Sequence, residues 1–284
     1  VLSFLMVFAL ALVCLPAAAQ ETSEGNQNKA AKEAELLPDE PVVTKHEATI
    51  GDETFSYTAE AGWLPIREDG EITGKMFYIA YTRNGVQDES TRPLIFSFNG
   101  GPGTASVWMH MGYTGPRRVV YDDDGFALMP PGGLEDNPHS ILDAADIVYI
   151  DPVDTGFSRM VEGEDLHKYH GTMADIESVG EFIRLFIVRN DRWSSPKFVI
   201  GESYGTTRAS GLAGYLLDRH QIYLNGVILV SMTGLNVDAG EDEDPIQFVI
   251  LERLGRIYEI EIKEDSLARA TYERLFEHDD SELK

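Results

Sequence analysis

The sequence predicts an α/β fold, a largely parallel sheet with helices on both faces. Two observations carry this. Predominantly apolar runs at 93–99, 145–151, 197–203 and 225–231 read as strands buried on both sides. Between them stand two segments of helical character, 173–190 and 206–220, placed to cross back between parallel strands. Composition agrees: 43% of the 284 residues are apolar and 25% are charged, which is globular usage.

In chain order, residues 1–19 (VLSFLMVFALALVCLPAAA) are uncharged, broken by Pro16 and closed by Ala17-x-Ala19. This is the apolar region and small-residue cleavage site of a signal peptide. A transmembrane anchor is the rival; Pro16, the alanines and the lack of a basic stop favour the signal. The protein is then exported, periplasmic or secreted. Residues 20–45, rich in Glu, Asn, Lys and Ala and ending in Pro38 and Pro41, read as a solvated linker. From His46 the pattern becomes strand-like. Residues 48–62 read as a hairpin turning at Gly51-Asp52, and 76–82 as a strand followed by an Asn84-Gly85 turn. The run 93–99 enters Gly100-Gly101-Pro102-Gly103 directly, and Pro152 stops 145–151. In 173–190, Ile176, Val179, Phe182, Ile183, Phe186 and Ile187 share one helical face. The run 197–203 ends in a glycine-flanked serine that opens the helix 206–220, and 225–231 is one more apolar strand.

Charge and cysteine usage exclude several function classes. Lys and Arg number 23 against 48 Asp and Glu, a net charge of −25. That balance opposes binding to nucleic acid or to anionic lipid. Cys14 is the single cysteine, so one chain builds no disulfide, cysteine-based zinc site or thiol nucleophile outside the leader. The acidic stretches 122–124 and 241–244 lack the spacing of a calcium loop and read as solvated loops. No phosphate or dinucleotide fingerprint is present, and no metal or cofactor is expected.

The strongest chemical signal is Gly201-Glu202-Ser203-Tyr204-Gly205, which fits G-x-S-x-G between a strand and a helix. That turn exposes a serine at the carboxyl end of a strand, where α/β sheets bind ligands. A serine needs a base to take its proton and donors for the oxyanion it creates. One donor is the N–H after the nucleophile, and the other comes from a glycine-rich loop after an earlier strand. Asn99 to Gly103 is such a loop in the right order. The competing reading is a glycine-bounded turn whose serine merely caps the helix.

FNGGPGTAS (98–106), NPHSILDAADIVYIDPVDTGFSR (137–159) and GESYG (201–205) together resemble the serine carboxypeptidase family over about residues 70–236. The resemblance implies the α/β-hydrolase fold with an inserted cap, and removal of single residues from peptide C-termini by a Ser-Asp-His triad. It implies Ser203 as nucleophile and the N–H groups of Gly101 and Tyr204 as oxyanion hole. Asn99, Gly100 and Glu202 match the positions that bind the substrate's terminal carboxylate. An ionised Glu202 would repel that carboxylate, whereas a protonated one donates to it. Peptide affinity is therefore expected to improve at mildly acidic pH.

Two departures qualify the likeness. Thr104-Ala105-Ser106 stands where eukaryotic members usually carry Cys-Ser-Ser, which points to a bacterial branch. The triad is also incomplete. After Ser203 the histidines are His220, at the far end of the following helix, and His278, in an acidic stretch. His110 and His139 precede the serine and read as packing or loop residues. The acid and base are therefore expected beyond Lys284, with 46–236 the first part of the core and 237–284 the start of a helical cap. The chain is then an N-terminal fragment, inactive as given. Another α/β-hydrolase activity, such as an esterase or acyltransferase, and a non-catalytic binding protein derived from a hydrolase remain as alternatives.

Overall fold

The computed structural model describes residues 40–68, 70–122, 126, 128 and 132–232. The proposed leader 1–19 and cap 237–284 lie outside them, as do His278 and most of both acidic stretches. One mixed sheet forms the centre. Its order is β1 (Val42–Ile50), β2 (Glu53–Glu68), β3 (Glu71–Arg83), β7 (Asp146–Ile150), β4 (Leu94–Phe98), β9 (Lys197–Glu202) and β10 (Gly226–Val230), with β8 (Arg159–Met160) paired beside β3. A separate ribbon joins β5 (Arg117–Val119) to β6 (Leu134–Asp136).

The expected parallel strands pair as β7–β4–β9–β10, each along nearly its whole length. The first three strands and the β3–β7 junction are antiparallel. The parallel part is the apolar part. In β4 and β7 all five residues are buried, which requires cover on both faces. In the antiparallel β3, buried positions alternate with half-buried ones instead.

Two sequence expectations are corrected. The strand read from residue 48 begins at Val42, so the linker expected to end at 45 contributes its last residues to β1. They are exposed, and main-chain pairing with Ala59, Glu60 and Ala61 of β2 holds them rather than burial. The hairpin expected to close at 62 runs on to Glu68, and β3 starts at Glu71, five residues before the expected 76. Both long helices, α1 (Thr172–Arg189) and α2 (Tyr204–His220), join one core cluster with Phe96, Val148 and Ile150, so they cover the same face. Alternation sends Ile147 and Tyr149 to the other face, where a short helical stretch over 107–114 covers them.

Close approach of α1 to α2 depends on two glycines. A Cβ on Gly180 would overlap the Tyr215 ring, and one on Gly211 would overlap Ile176. Phe182 and Phe186 of α1 meet Tyr78 edge-on at 5.7 and 5.5 Å between ring centres, tying the helix to β3.

Candidate active site

The site lies at the carboxyl ends of β4 and β9. Ser203 leaves β9 with φ 56° and ψ −126°, a conformation that costs a residue with a Cβ roughly 1–3 kcal/mol. The strain is held from three sides. Ser203 N–H donates to Val230 O at 2.9 Å, and Ser203 O accepts from both the N–H and the hydroxyl of Thr206, at 2.9 and 2.7 Å. The glycines on either side explain themselves: a Cβ on Gly201 would run into the Gly205 carbonyl, and one on Gly205 would sit 3.2 Å from the carbonyl oxygens of Phe98 and Asn99. Ser203 occupies the position before the first turn of α2, yet its side chain makes no capping hydrogen bond. The capping role is therefore not the one this serine fills.

The glycine loop is pressed onto this turn. A Cβ on Gly100 would strike Tyr204 N, Glu202 O and Gly205 N, so only glycine lets the end of β4 reach the elbow. Gly101, with φ 109°, turns the chain away immediately afterwards. Tyr204 N–H is one of the first-turn donors a helix leaves without an intrahelical partner. Gly100, Gly101 and Tyr204 are thus gathered at one spot although about a hundred positions separate them in sequence.

Asn99 is buried and fixed at both ends of its side chain. Its Oδ1 accepts from Met109 N–H at 2.9 Å, which leaves the amide nitrogen to donate to Glu202 Oε2 at 3.0 Å. Glu202 and Ser203 are half-buried. The residues singled out in the sequence therefore meet: Asn99 touches Glu202, and Gly100 touches the backbone on both sides of Ser203.

The histidines do not join them. His220 closes α2 at its far end, about 25 Å of helix from Ser203, and lies 2.8 Å from Glu181 Oε1. His110 is packed beneath the 107–114 stretch, with Nε2 2.6 Å from Tyr81 Oη and its ring stacked on Tyr149 at 4.6 Å. Burial pulls its pKa down to about 4. His139 sits in the loop before β7, its N–H donating to Asn137 Oδ1 at 3.1 Å. Among the described residues no group of three or more His, Cys, Asp or Glu is placed to hold a metal.

Sequence reasoning missed two residues that shape the site. Asp151 Oδ1 accepts from Ser106 N–H at 3.0 Å and Oδ2 from Phe157 N–H at 3.1 Å, joining the loops after β4 and β7. Gly156 has no Cβ because Asp151 Oδ2 fills its place. Arg208 is 1% exposed, a rare burial for a guanidinium. Its signal was available: Arg208 stands four positions before Leu212 on the face of α2 that enters the core.

A serine strained at a strand-to-helix turn, with a glycine loop laid against it, defines an α/β-hydrolase nucleophile elbow. The sequence model of the serine carboxypeptidase family matches residues 50–240, and the chain belongs to that family. Serine carboxypeptidase S10 family member 1 of Dictyostelium discoideum is 27% identical over 191 residues, covering 66% of this chain and 41% of the relative. The pheromone-processing carboxypeptidase KEX1 of Lachancea thermotolerans is 30% identical over 207 residues, covering 69% of this chain and 25% of the relative. The chain thus spans less than half the length of these relatives. The crystal structure of the prohormone-processing carboxypeptidase KEX1 from Saccharomyces cerevisiae aligns at a TM-score of 0.49 and 23% identity, over 61% of this chain and 38% of that one.

Proposed function

We propose that this chain carries the nucleophile and the carboxylate-recognition part of an exported serine-type carboxypeptidase acting on peptides with a free C-terminus. The observation that carries it is the hydrogen-bonded pair Asn99–Glu202, 3.0 Å apart, beside a serine held at φ 56°. A general esterase needs the strained serine but has no use for a buried amide and a carboxyl group set next to it. Family membership and the apolar leader 1–19 support the peptide substrate and the export.

Ser203 Oγ attacks the carbonyl carbon of the last peptide bond while its proton passes to a base. In this fold the base is a histidine later in the chain than the serine, preceded by its acidic partner. The N–H groups of Gly101 and Tyr204 stabilise the oxyanion, each worth about 3 kcal/mol of barrier. The C–N bond then breaks, and the departing amino acid takes the proton from the base. Water, deprotonated by the same base, hydrolyses the acyl-Ser203 ester. Asn99 Nδ2, Gly100 and Glu202 hold the terminal carboxylate of the substrate, and no cofactor takes part.

The full-length protein tests this with a fluorophosphonate probe and two matched substrates, a peptide with a free C-terminus and its amide. Labelling of Ser203 together with preference for the free acid is expected. Labelling without that preference leaves an esterase or acyltransferase, and absence of labelling leaves a non-catalytic binding protein. Glu202→Gln supplies a hydrogen-bond donor at every pH, so KM for the free acid is expected to lose its pH dependence. An unchanged dependence removes Glu202 from the carboxylate site.

A further inference from the structure

Arg208 lies five residues beyond the nucleophile on α2, and the mechanism above does not use it. Its Nη1 donates to Asn99 O at 2.9 Å, and its Nε donates to Asp175 Oδ2 of α1 at 2.9 Å. The guanidinium carbon lies 5.1 Å from the Phe98 ring centre and 5.4 Å from that of Tyr204. One buried side chain therefore touches the end of β4, the first turn of the elbow helix and the start of α1. The carboxylate of Asp175 balances the charge, so nothing electrostatic calls for an external ligand.

What the contacts determine is the position of Asn99. Its side-chain oxygen is held by Met109 N–H and its main-chain oxygen by Arg208, so the amide group has one orientation. In that orientation Nδ2 presents one hydrogen to Glu202 and keeps the second for another acceptor. Arg208 belongs to the helix that starts directly after Ser203. It acts as a strut of fixed length between the nucleophile and the residue proposed to grip the substrate carboxylate. A planar fork suits this: two donors in fixed directions meet a carbonyl on one side and a carboxylate on the other.

We propose that Arg208 is a positioning residue for terminal-carboxylate recognition, setting the distance and orientation of Asn99 relative to Ser203. The inference rests on the carboxypeptidase reading. A misplacement of about 1 Å in such a site costs roughly a hundredfold in rate. The loss falls on substrates that present a free carboxylate, because those alone use Asn99.

The test measures kcat/KM for a free-acid peptide and for its amide in full-length wild type, Arg208→Gln and Arg208→Lys. The ratio of the two values does not depend on how much enzyme is folded. Arg208→Gln is expected to lower the ratio at least tenfold, chiefly through KM of the free acid, with fluorophosphonate labelling of Ser203 retained. Arg208→Lys keeps the charge beside Asp175 but spans both partners poorly, and is expected to fall between. A ratio equal to wild type in both variants overturns the proposal, as does a failure of both to accumulate folded, which assigns Arg208 to stability alone. A wild type that shows no preference for the free acid instead overturns the reading on which the inference rests.

Discussion

The two ends of the parallel strands treat buried polar groups in opposite ways. At the amino ends, Asp146 is 1% exposed and fully answered. Its Oδ1 accepts from Arg92 Nε at 2.7 Å and from Arg83 N–H at 3.0 Å, and its Oδ2 accepts from Arg192 Nη1 at 2.7 Å. Arg192 also donates to Arg92 O, and Arg92 to Leu142 O, so the cluster closes on itself. At the carboxyl ends, Glu202 accepts from Asn99 Nδ2 and the first turn of α2 leaves N–H donors without helical partners, beside a serine in a costly conformation. One end converts charge into cohesion, and the other retains backbone strain. Strain of this kind persists only where the surroundings over-determine it. Here β4, β9 and β10 do so by their pairing.

The contrast can be broken from either end. The largest effect is expected at the site. Ser203→Gly should remove essentially all peptidase activity, on the order of a millionfold as for other serine nucleophiles. It should also raise stability by about 1 kcal/mol, because glycine relaxes the positive φ. Urea melts of wild type and variant check this, and a loss of stability would mean that the side chain of Ser203 anchors the turn. At the opposite end, Asp146→Ala strands two buried guanidinium groups and should cost about 3–5 kcal/mol. The turnover of the molecules that remain folded should not change; a change there would show that the two ends are coupled.

A smaller effect sharpens the comparison on the face between them. His110 is held neutral by burial against Tyr81 and Tyr149, and among the described residues no charged group shifts its pKa. Its folded pKa lies near 4, below the unfolded value near 6.5. Between those values the unfolded chain binds a proton that the folded chain refuses. Stability is thus fully present above pH 6.5 and is lost as pH falls towards 4, by roughly 3 kcal/mol. His110→Gln, which keeps an acceptor for Tyr81, should flatten this part of the stability profile. Midpoints measured at pH 4.5 and 7 in both proteins decide it.

How much of this was legible in the sequence depends on what each residue answers to. The runs containing Phe96, Val148, Val199 and Ile228 were legible because strands covered on both faces must be apolar throughout. The full extent of β2 and β3 was not, since Pro65 and the charged residues near 68–71 suggest a break. Asp69-Gly70 was the hairpin signal that went unread. The elbow was legible because its chemistry is local: five consecutive residues specify it. The Asn99–Glu202 contact was visible only through family resemblance. The burial of Arg208 was readable from the core face of α2, but its contacts were not, because Asn99 and Asp175 come from two other elements that only the folded chain brings to it.

The hydrogen bond between Asn99 and Glu202 joins residues 103 positions apart. The motif of the turn is local, but its packing is not: Gly100 lies against Tyr204 only where β4 and β9 pair in parallel. Such long-range closure comes late in folding. On the proposed reading, Ser203 therefore becomes a nucleophile only once the sheet around it has closed. Labelling of Ser203 by a phosphonylating probe would then report the closure of the sheet.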